Sequence, residues 1–265
     1  MGKYFSYGLT TYKNIQVYKL DIIFKIFGAI LTVFAIREIW VSIYGNNLSL
    51  VTTTGVSVNE MATYAMMSII ISSLFGYTSA FDIAAKVRSG EIILELQKPW
   101  NFQLMHLAKA MGNSFFNLIY IVFPTFITLI LVYSIKVPNG WQAVSFLFSL
   151  ILSFIIIFSI NFSVGLLSFL FTEIWGFEFI KFVIIDLGSG FVVPLWLFPK
   201  TISSILHYLP FRGIYSIPLS IFIKKETGES LVNSLLFQGF WALILFFIVF
   251  LLMKLMERLL VTTGG

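Results

Sequence analysis

The sequence predicts an all-α integral membrane protein that crosses the bilayer six times. Of its 265 residues, 58% are hydrophobic and 11% are charged, whereas a soluble domain carries about 25% charged residues. The mean hydropathy is +0.95. Because one crossing takes about 20 apolar residues, the apolar runs account for most of the chain. The composition therefore excludes a sizeable soluble domain.

Six apolar segments have the length of a bilayer crossing. The first contains Lys25, Arg37 and Glu38, and long basic side chains of this kind can extend to the membrane interface. The fifth contains Lys181 and Asp186, and the other four carry no charged residue. The predicted spans are residues 22–44, 61–81, 110–135, 141–172, 179–198 and 231–253.

Two further segments are predicted to be helical without crossing the membrane. Residues 1–20 place apolar side chains at three-to-four spacing beside three lysines, which indicates a helix lying on the membrane surface. Residues 199–230 are apolar but contain three prolines. A stretch so interrupted cannot cross as one helix, so we expect short re-entrant helices on the outer side.

The distribution of basic residues predicts the orientation. An even number of spans puts both termini on one side. Eleven of the seventeen Lys and Arg residues then fall on the side of the termini and six on the other. Since basic residues accumulate in cytoplasmic loops, we expect both termini to be cytosolic. The same rule explains the net charge of +5 better than nucleic-acid binding does.

No pattern of catalytic or metal-ligating residues is present in the sequence. There is no P-loop, no H-E-x-x-H and no G-x-S-x-G motif. The chain has no cysteine, and His106 and His207 are its only histidines. We therefore expect no catalytic residue, no metal site and no cofactor bound by this chain.

Polar residues within the spans are the candidates for a substrate path or a gate. Asp186 lies near the middle of the fifth span, where an ionisable group is costly and suggests a function. It could contact substrate or pair with Lys25 or Arg37 of the first span; alternatively it is a structural group. The other candidates, each also compatible with helix packing, are Asn161, Gln238, Gly188 and Gly190.

The segment between the second and third spans, residues 82–109, is the longest internal stretch that is both charged and bracketed by spans. A simple connection could be much shorter. Mixed charged and apolar residues over such a length indicate a helix that fits the groove of a cytosolic partner. The residues we expect to make this contact are Lys86, Arg88, Ser89, Gly90, Glu91, Lys98, Pro99 and Trp100.

Several of these residues belong to motifs that resemble those of ABC-2-type exporter permeases. The motifs are RSGEI followed by L-x-KPW at 88–100, LWLFP at 195–199, LPFR and YSIP within 209–218, and the Gly-Gly end at 264–265. The resemblance implies a type V ABC exporter-like subunit with an N-terminal interfacial helix, a coupling helix between spans 2 and 3, and re-entrant helices between spans 5 and 6.

The resemblance also implies partners and a mechanism. A second permease, identical or homologous, would pair with this chain in a bacterial cytoplasmic membrane. Cytosolic ABC ATPase subunits would bind ATP and Mg²⁺ and drive export. Two alternatives stay open on the sequence. One is a proton-coupled secondary transporter that uses Asp186, and the other is an assembly or immunity subunit that transports nothing.

Overall fold

The structure, a computed structural model, describes residues 2–17, 19–76, 79–133, 135 and 137–263. Lys136, expected in the turn between spans 3 and 4, and the Gly264–Gly265 end lie outside these residues. Within them, all regular structure is helical, which confirms the predicted all-α class. The α-helices are α1 (Gly2–Ile15), α2 (Lys19–Gly45), α3 (Leu48–Thr54), α4 (Val58–Leu74), α5 (Ser79–Ser89), α6 (Ile92–Leu96), α7 (Phe102–Asn117), α8 (Phe123–Tyr133), α9 (Gly140–Leu166), α10 (Trp175–Gly188), α11 (Lys200–Tyr208), α12 (Ser216–Phe222) and α13 (Gly228–Thr263).

Four helical stretches in the described part of the chain are long and apolar enough to cross a membrane. They are Val58–Ser89, of which residues 77 and 78 are not described, Phe102–Tyr133, Gly140–Phe169 and Gly228–Met256. The second stretch passes from α7 to α8 through a π-helical turn at Leu118–Val122, which ends two residues before Pro124. A π turn and a proline both disturb the regular ladder of helix hydrogen bonds.

The first and fifth predicted spans correspond to α2 and α10, which are not among these four stretches. Helix α2 has 27 residues but carries Asp21, Lys25, Arg37 and Glu38. Helix α10 has 14 residues, or about 21 Å at 1.5 Å per residue. It ends at Gly188, and the chain then turns through Gly190, whose φ is +83°.

Side-chain contacts place distant segments at two opposite ends of the helices. At one end, here called the α6 end, Arg88 pairs with Glu173 at 3.0 Å and Lys3 Nζ donates to the Pro99 carbonyl at 3.4 Å. At the other, the α11 end, Lys225 Nζ donates to the Thr54 carbonyl at 3.2 Å. The long helices therefore connect two separate polar regions.

At the α6 end, α1 crosses α7 almost backbone to backbone. A Cβ on Gly112 would collide with the Gly8 carbonyl oxygen, and one on Gly8 would lie 2.8 Å from the Ala108 carbonyl oxygen. Only glycine at both positions permits this approach. The crossing is extended by Tyr12, whose ring packs against those of Phe115 and Phe116.

We expect Gly112→Ala to lower the stability of the protein by about 1–3 kcal/mol, because the new methyl group meets backbone atoms and α1 must move. The midpoint of thermal unfolding in detergent and the rate of proteolysis within α1 measure the effect. Gly28→Ala is the matched control, since no atom lies within 4 Å of its added Cβ. A Gly112→Ala variant as stable as Gly28→Ala contradicts the proposed close crossing.

Candidate functional site

Between α5 and α7 the chain makes a sharp turn and then forms the short helix α6. Helix α5 ends at Ser89, and Gly90 follows with φ +77°, in the left-handed region that glycine adopts most easily. The backbone N–H of Glu91 donates to Ser89 Oγ at 3.4 Å. After α6, the Asn101 side chain accepts a hydrogen bond from the Leu104 N–H at 2.9 Å and caps α7.

Helix α6 has one buried side and one exposed apolar side. Ile92 and Glu95 point into the protein. Ile93 and Leu94 point outward, with 56% and 64% of their surface exposed. Glu91, Lys98 and Pro99 on either side of this apolar pair are also exposed. The outward side therefore presents two adjacent aliphatic side chains within a polar rim.

A group of five charged or titratable residues, here called the charged cluster, lies beneath α6. Glu95 accepts a hydrogen bond from Lys86 and lies 3.2 Å from His106 Nε2. Asp82 accepts from Lys109 at 2.7 Å, and its second oxygen lies 3.2 Å from Lys86 Nζ. The cluster joins α5, α6 and α7 through hydrogen bonds to charged groups, which are stronger than those between neutral groups.

Glu95 is the centre of this cluster. Its side chain is 9% exposed. Burial alone would raise the pKa of Glu95, but hydrogen bonds from His106 and Lys86 and the positive charges of these groups outweigh burial. The pKa of Glu95 falls to about 2. His106 is 1% exposed and packs between the rings of Phe102 and Phe162, so its position is fixed by packing as well as by Glu95.

Trp100 fixes the end of the α6 segment against α1. The rings of Tyr4 and Tyr7 meet it edge-on at centroid distances of 6.0 and 6.1 Å. Lys3 Nζ lies 5.5 Å from the Trp100 ring centroid and Lys98 Nζ lies 6.0 Å from it, both within the range of cation–π attraction. The Asn101 N–H donates to Tyr4 Oη at 3.0 Å. The N-terminal helix is thus part of this site.

The structure brings the eight residues selected from the sequence into this one region, and it adds four that sequence reasoning missed: Asp82, Glu95, His106 and Lys109. Asp82 and Lys86 are spaced i, i+4, a pattern that the sequence does show. The pairs of Glu95 with His106 and of Asp82 with Lys109 join different helices. No sequence spacing identifies them.

Asn161 and Gln238, which are candidates for a substrate path, are hydrogen-bonded to different neighbouring residues. Asn161 Oδ1 accepts from Lys181 Nζ at 2.7 Å, and Lys181 also pairs with Glu178 at 2.8 Å. Gln238 is fully buried, and its amide nitrogen lies 2.7 Å from the Gly213 carbonyl oxygen and 2.9 Å from Ser153 Oγ. Gln238 therefore connects α13 to α9 and to the turn before α12. A side chain held in this way is suited to helix packing.

Asp186, Gly188 and Gly190 lie together at the end of α10. Asp186 is half-buried. The suggested pairing with Lys25 or Arg37 is not seen among the described residues, because Lys25 pairs with Asp21 at 2.7 Å and Arg37 pairs with Glu38. These partners are close in sequence on α2.

The glycines beside Asp186 serve the packing of this turn. A Cβ on Gly190 would lie 2.9 Å from Tyr64 Oη, which donates to the Gly190 carbonyl at 2.8 Å. Gly190 therefore permits both the turn and the approach of α4. Among the described residues, no group of three or more His, Asp or Glu side chains could hold a metal ion.

We expect the stability of the protein to depend on the ionisation of Glu95. Its pKa is about 4.5 in the unfolded chain and about 2 in the fold. The stabilisation is therefore complete above about pH 4.5 and is lost as the pH falls from there toward 2. Glu95→Gln should lose about 3 kcal/mol at neutral pH, because Lys86 and His106 lose their carboxylate partner, and its stability should fall less steeply in acid.

The measurement is the midpoint of thermal unfolding in detergent between pH 7 and pH 3. Glu91→Gln, in the exposed turn before α6, is the matched control and should follow the wild type. Parallel profiles for Glu95→Gln and wild type would show that Glu95 is not the stabilising carboxylate.

The sequence matches a known protein family. Residues 29–264 match the family described as ABC-2 family transporter protein. No curated protein matches the sequence. The match covers the candidate spans, the charged cluster and α6, and it begins within α2. The chain therefore belongs to the ABC-2 family of multi-pass membrane transport proteins, the permeases of ABC transporters.

Proposed function

We propose that this chain is the membrane-spanning subunit of an ATP-binding cassette exporter and moves a substrate outward. Separate cytosolic ATPase subunits would bind ATP and Mg²⁺ and supply the energy, since the sequence has no P-loop. The observation that carries the proposal is α6, which presents exposed Ile93 and Leu94 in a chain of this family. Adjacent exposed aliphatic side chains with a polar rim are suited to a groove on a partner protein.

The charged cluster would transmit movement of α6 to the membrane. Glu95 on α6 bonds to Lys86 on α5 and to His106 on α7. Both of these helices belong to stretches long enough to cross a bilayer. A displacement of α6 by the ATPase would thus act on two membrane helices together, because separating the buried charge pairs would leave charges without partners.

The Arg88–Glu173 pair provides a second and weaker connection, from the end of α5 to the turn before α10. Both side chains are largely exposed, and an exposed pair contributes about 0–1 kcal/mol. Such a pair can break and form again during a transport cycle at little energetic cost. It would let α10 follow α5 in one state and separate from it in another.

Six crossings are part of the proposal: α2, α4 with α5, α7 with α8, α9, α10, and α13. Helices α11 and α12 would be the re-entrant helices, and α1 would lie at the interface. The grouping of contacts at two opposite ends supports this arrangement, with the α6 end and both termini in the cytosol of a bacterium. A second permease, identical or homologous, would complete the transport path.

We expect a double change of Ile93→Gln and Leu94→Gln to reduce retention of the ATPase at least about tenfold, since both apolar contacts are lost. Co-purification in mild detergent, with the neighbouring genes co-expressed, measures it. Gln97→Ala, an exposed change in the same segment, is the control. If the wild-type protein brings down no P-loop ATPase, the proposal fails.

We expect Gly90→Val, which is strained at φ +77°, to leave ATP hydrolysis intact while lowering transport.

The substitution Asp186→Asn distinguishes an ATP-driven exporter from a proton-coupled transporter. Asn is nearly isosteric with Asp but cannot carry a proton. If ATP drives transport, Asp186→Asn should keep turnover within about threefold of wild type in proteoliposomes with the ATPase present, because a half-buried amide retains the local packing. If a proton gradient alone drives transport and the variant abolishes it, Asp186 is the proton carrier. No transport at all in the wild type would favour the assembly or immunity subunit.

A further inference from the structure

A cavity of about 610 Å³ lies at the α11 end, outside the region already described. Its basic side chains are Lys200 and His207 of α11 and Arg212 of the turn that follows. No carboxylate is among its lining residues in the described chain. The described part of the cavity wall therefore carries basic side chains and no carboxylate.

Two buried hydrogen-bond donors belong to residues that line this cavity and have no partner among the described residues. They are Trp196 Nε1 and Arg212 Nε. Buried N–H groups in proteins are nearly always hydrogen-bonded, and an exception indicates a missing acceptor such as an ion or a water. Both donors belong to side chains of the cavity wall, so an anion bound in the cavity is a candidate for the missing acceptor.

Arg212 is held in place by packing. Its guanidinium lies 4.1 Å from the ring centroid of Phe237, an arrangement that orders the planar group. The negative charge of Glu226 acts on Arg212 from a distance. Among the described residues, no carboxylate comes within 4 Å of Arg212 to form an ion pair. The ordered guanidinium thus keeps its capacity for an external anion.

Helix α11 is oriented with its polar side toward the cavity and its apolar side outward. Ile202 and Ile205 are exposed and do not line the cavity, whereas Lys200 and His207 do. A helix with an exposed apolar face beside basic residues is typical of a membrane interface. An amphiphile in the bilayer could place its charged group in the cavity and its chain along α11.

We propose that this cavity binds the phosphate or carboxylate group of an anionic amphiphile. Lys200, His207 and Arg212 attract and orient the anionic oxygens, and the Trp196 indole donates to one of them. Phe198 and Phe237 form the apolar part of the wall. The cavity is lined by residues of this chain alone and lies at the end opposite α6, so binding can be tested without the ATPase.

The test is a titration of the delipidated protein in uncharged detergent, followed by native mass spectrometry. The probes are phosphatidylglycerol, phosphatidylcholine and inorganic phosphate. We expect phosphatidylglycerol to bind at least about tenfold more tightly than phosphatidylcholine, and Arg212→Gln and Lys200→Gln each to weaken it about tenfold. Lys224→Gln, which removes a lysine that lines a different cavity near this end, is the matched control and should bind as the wild type does.

Competition by inorganic phosphate shows whether the site recognises a free anion or only the headgroup of a lipid. If millimolar phosphate displaces phosphatidylglycerol in the wild type, and the displacement is lost in Lys200→Gln, the site recognises the anionic group from either source. If phosphate has no effect, the site requires the whole lipid. Equal binding of the two lipids, or full binding by both Lys200→Gln and a folded Arg212→Gln, overturns the proposal. Lys200 is exposed, so its variant remains informative even if Arg212→Gln fails to fold.

Discussion

The hydrogen bonds that Glu95 accepts from Lys86 and His106 are the interaction on which the α6 end depends. A five-residue helix is too short to be stable by itself. Its position is set by a buried carboxylate, which is stabilised only while both basic partners face it. The same bonds fix the spacing of α5 and α7. Removing one partner would leave buried charge without compensation, so the three helices form one unit.

Other contacts between helices are made by neutral hydrogen-bonding groups, farther from α6. Gln238 connects α13 to α9 through amide and hydroxyl groups, and Tyr64 connects α4 to the Gly190 turn. Neutral hydrogen bonds cost less to bury than charges do. The contacts that Gln238 and Tyr64 make are therefore uncharged, whereas α6 is held to α5 and α7 by charged groups.

Composition was enough to predict a helical membrane protein, because lipid is the only solvent that suits so many apolar residues. The region around 88–100 was also recognisable, since Gly90, Pro99 and Trp100 interrupt an apolar and charged stretch. The charged cluster was not, because Glu95 and His106 meet only after α6 and α7 fold. The same is true of Gln238 and of the donors at Trp196 and Arg212, whose neighbours come from distant parts of the chain.

The glycine crossing of α1 and α7 has a consequence for biosynthesis. Gly8 and Gly112 are separated by about a hundred residues, which a ribosome adds in roughly 5–20 s at common elongation rates. During that time α1 has been made but its partner surface has not. Until then Tyr12 lacks the rings of Phe115 and Phe116 against which it packs in the fold. The contact between α1 and α7 can therefore close only after the chain has been made as far as α7.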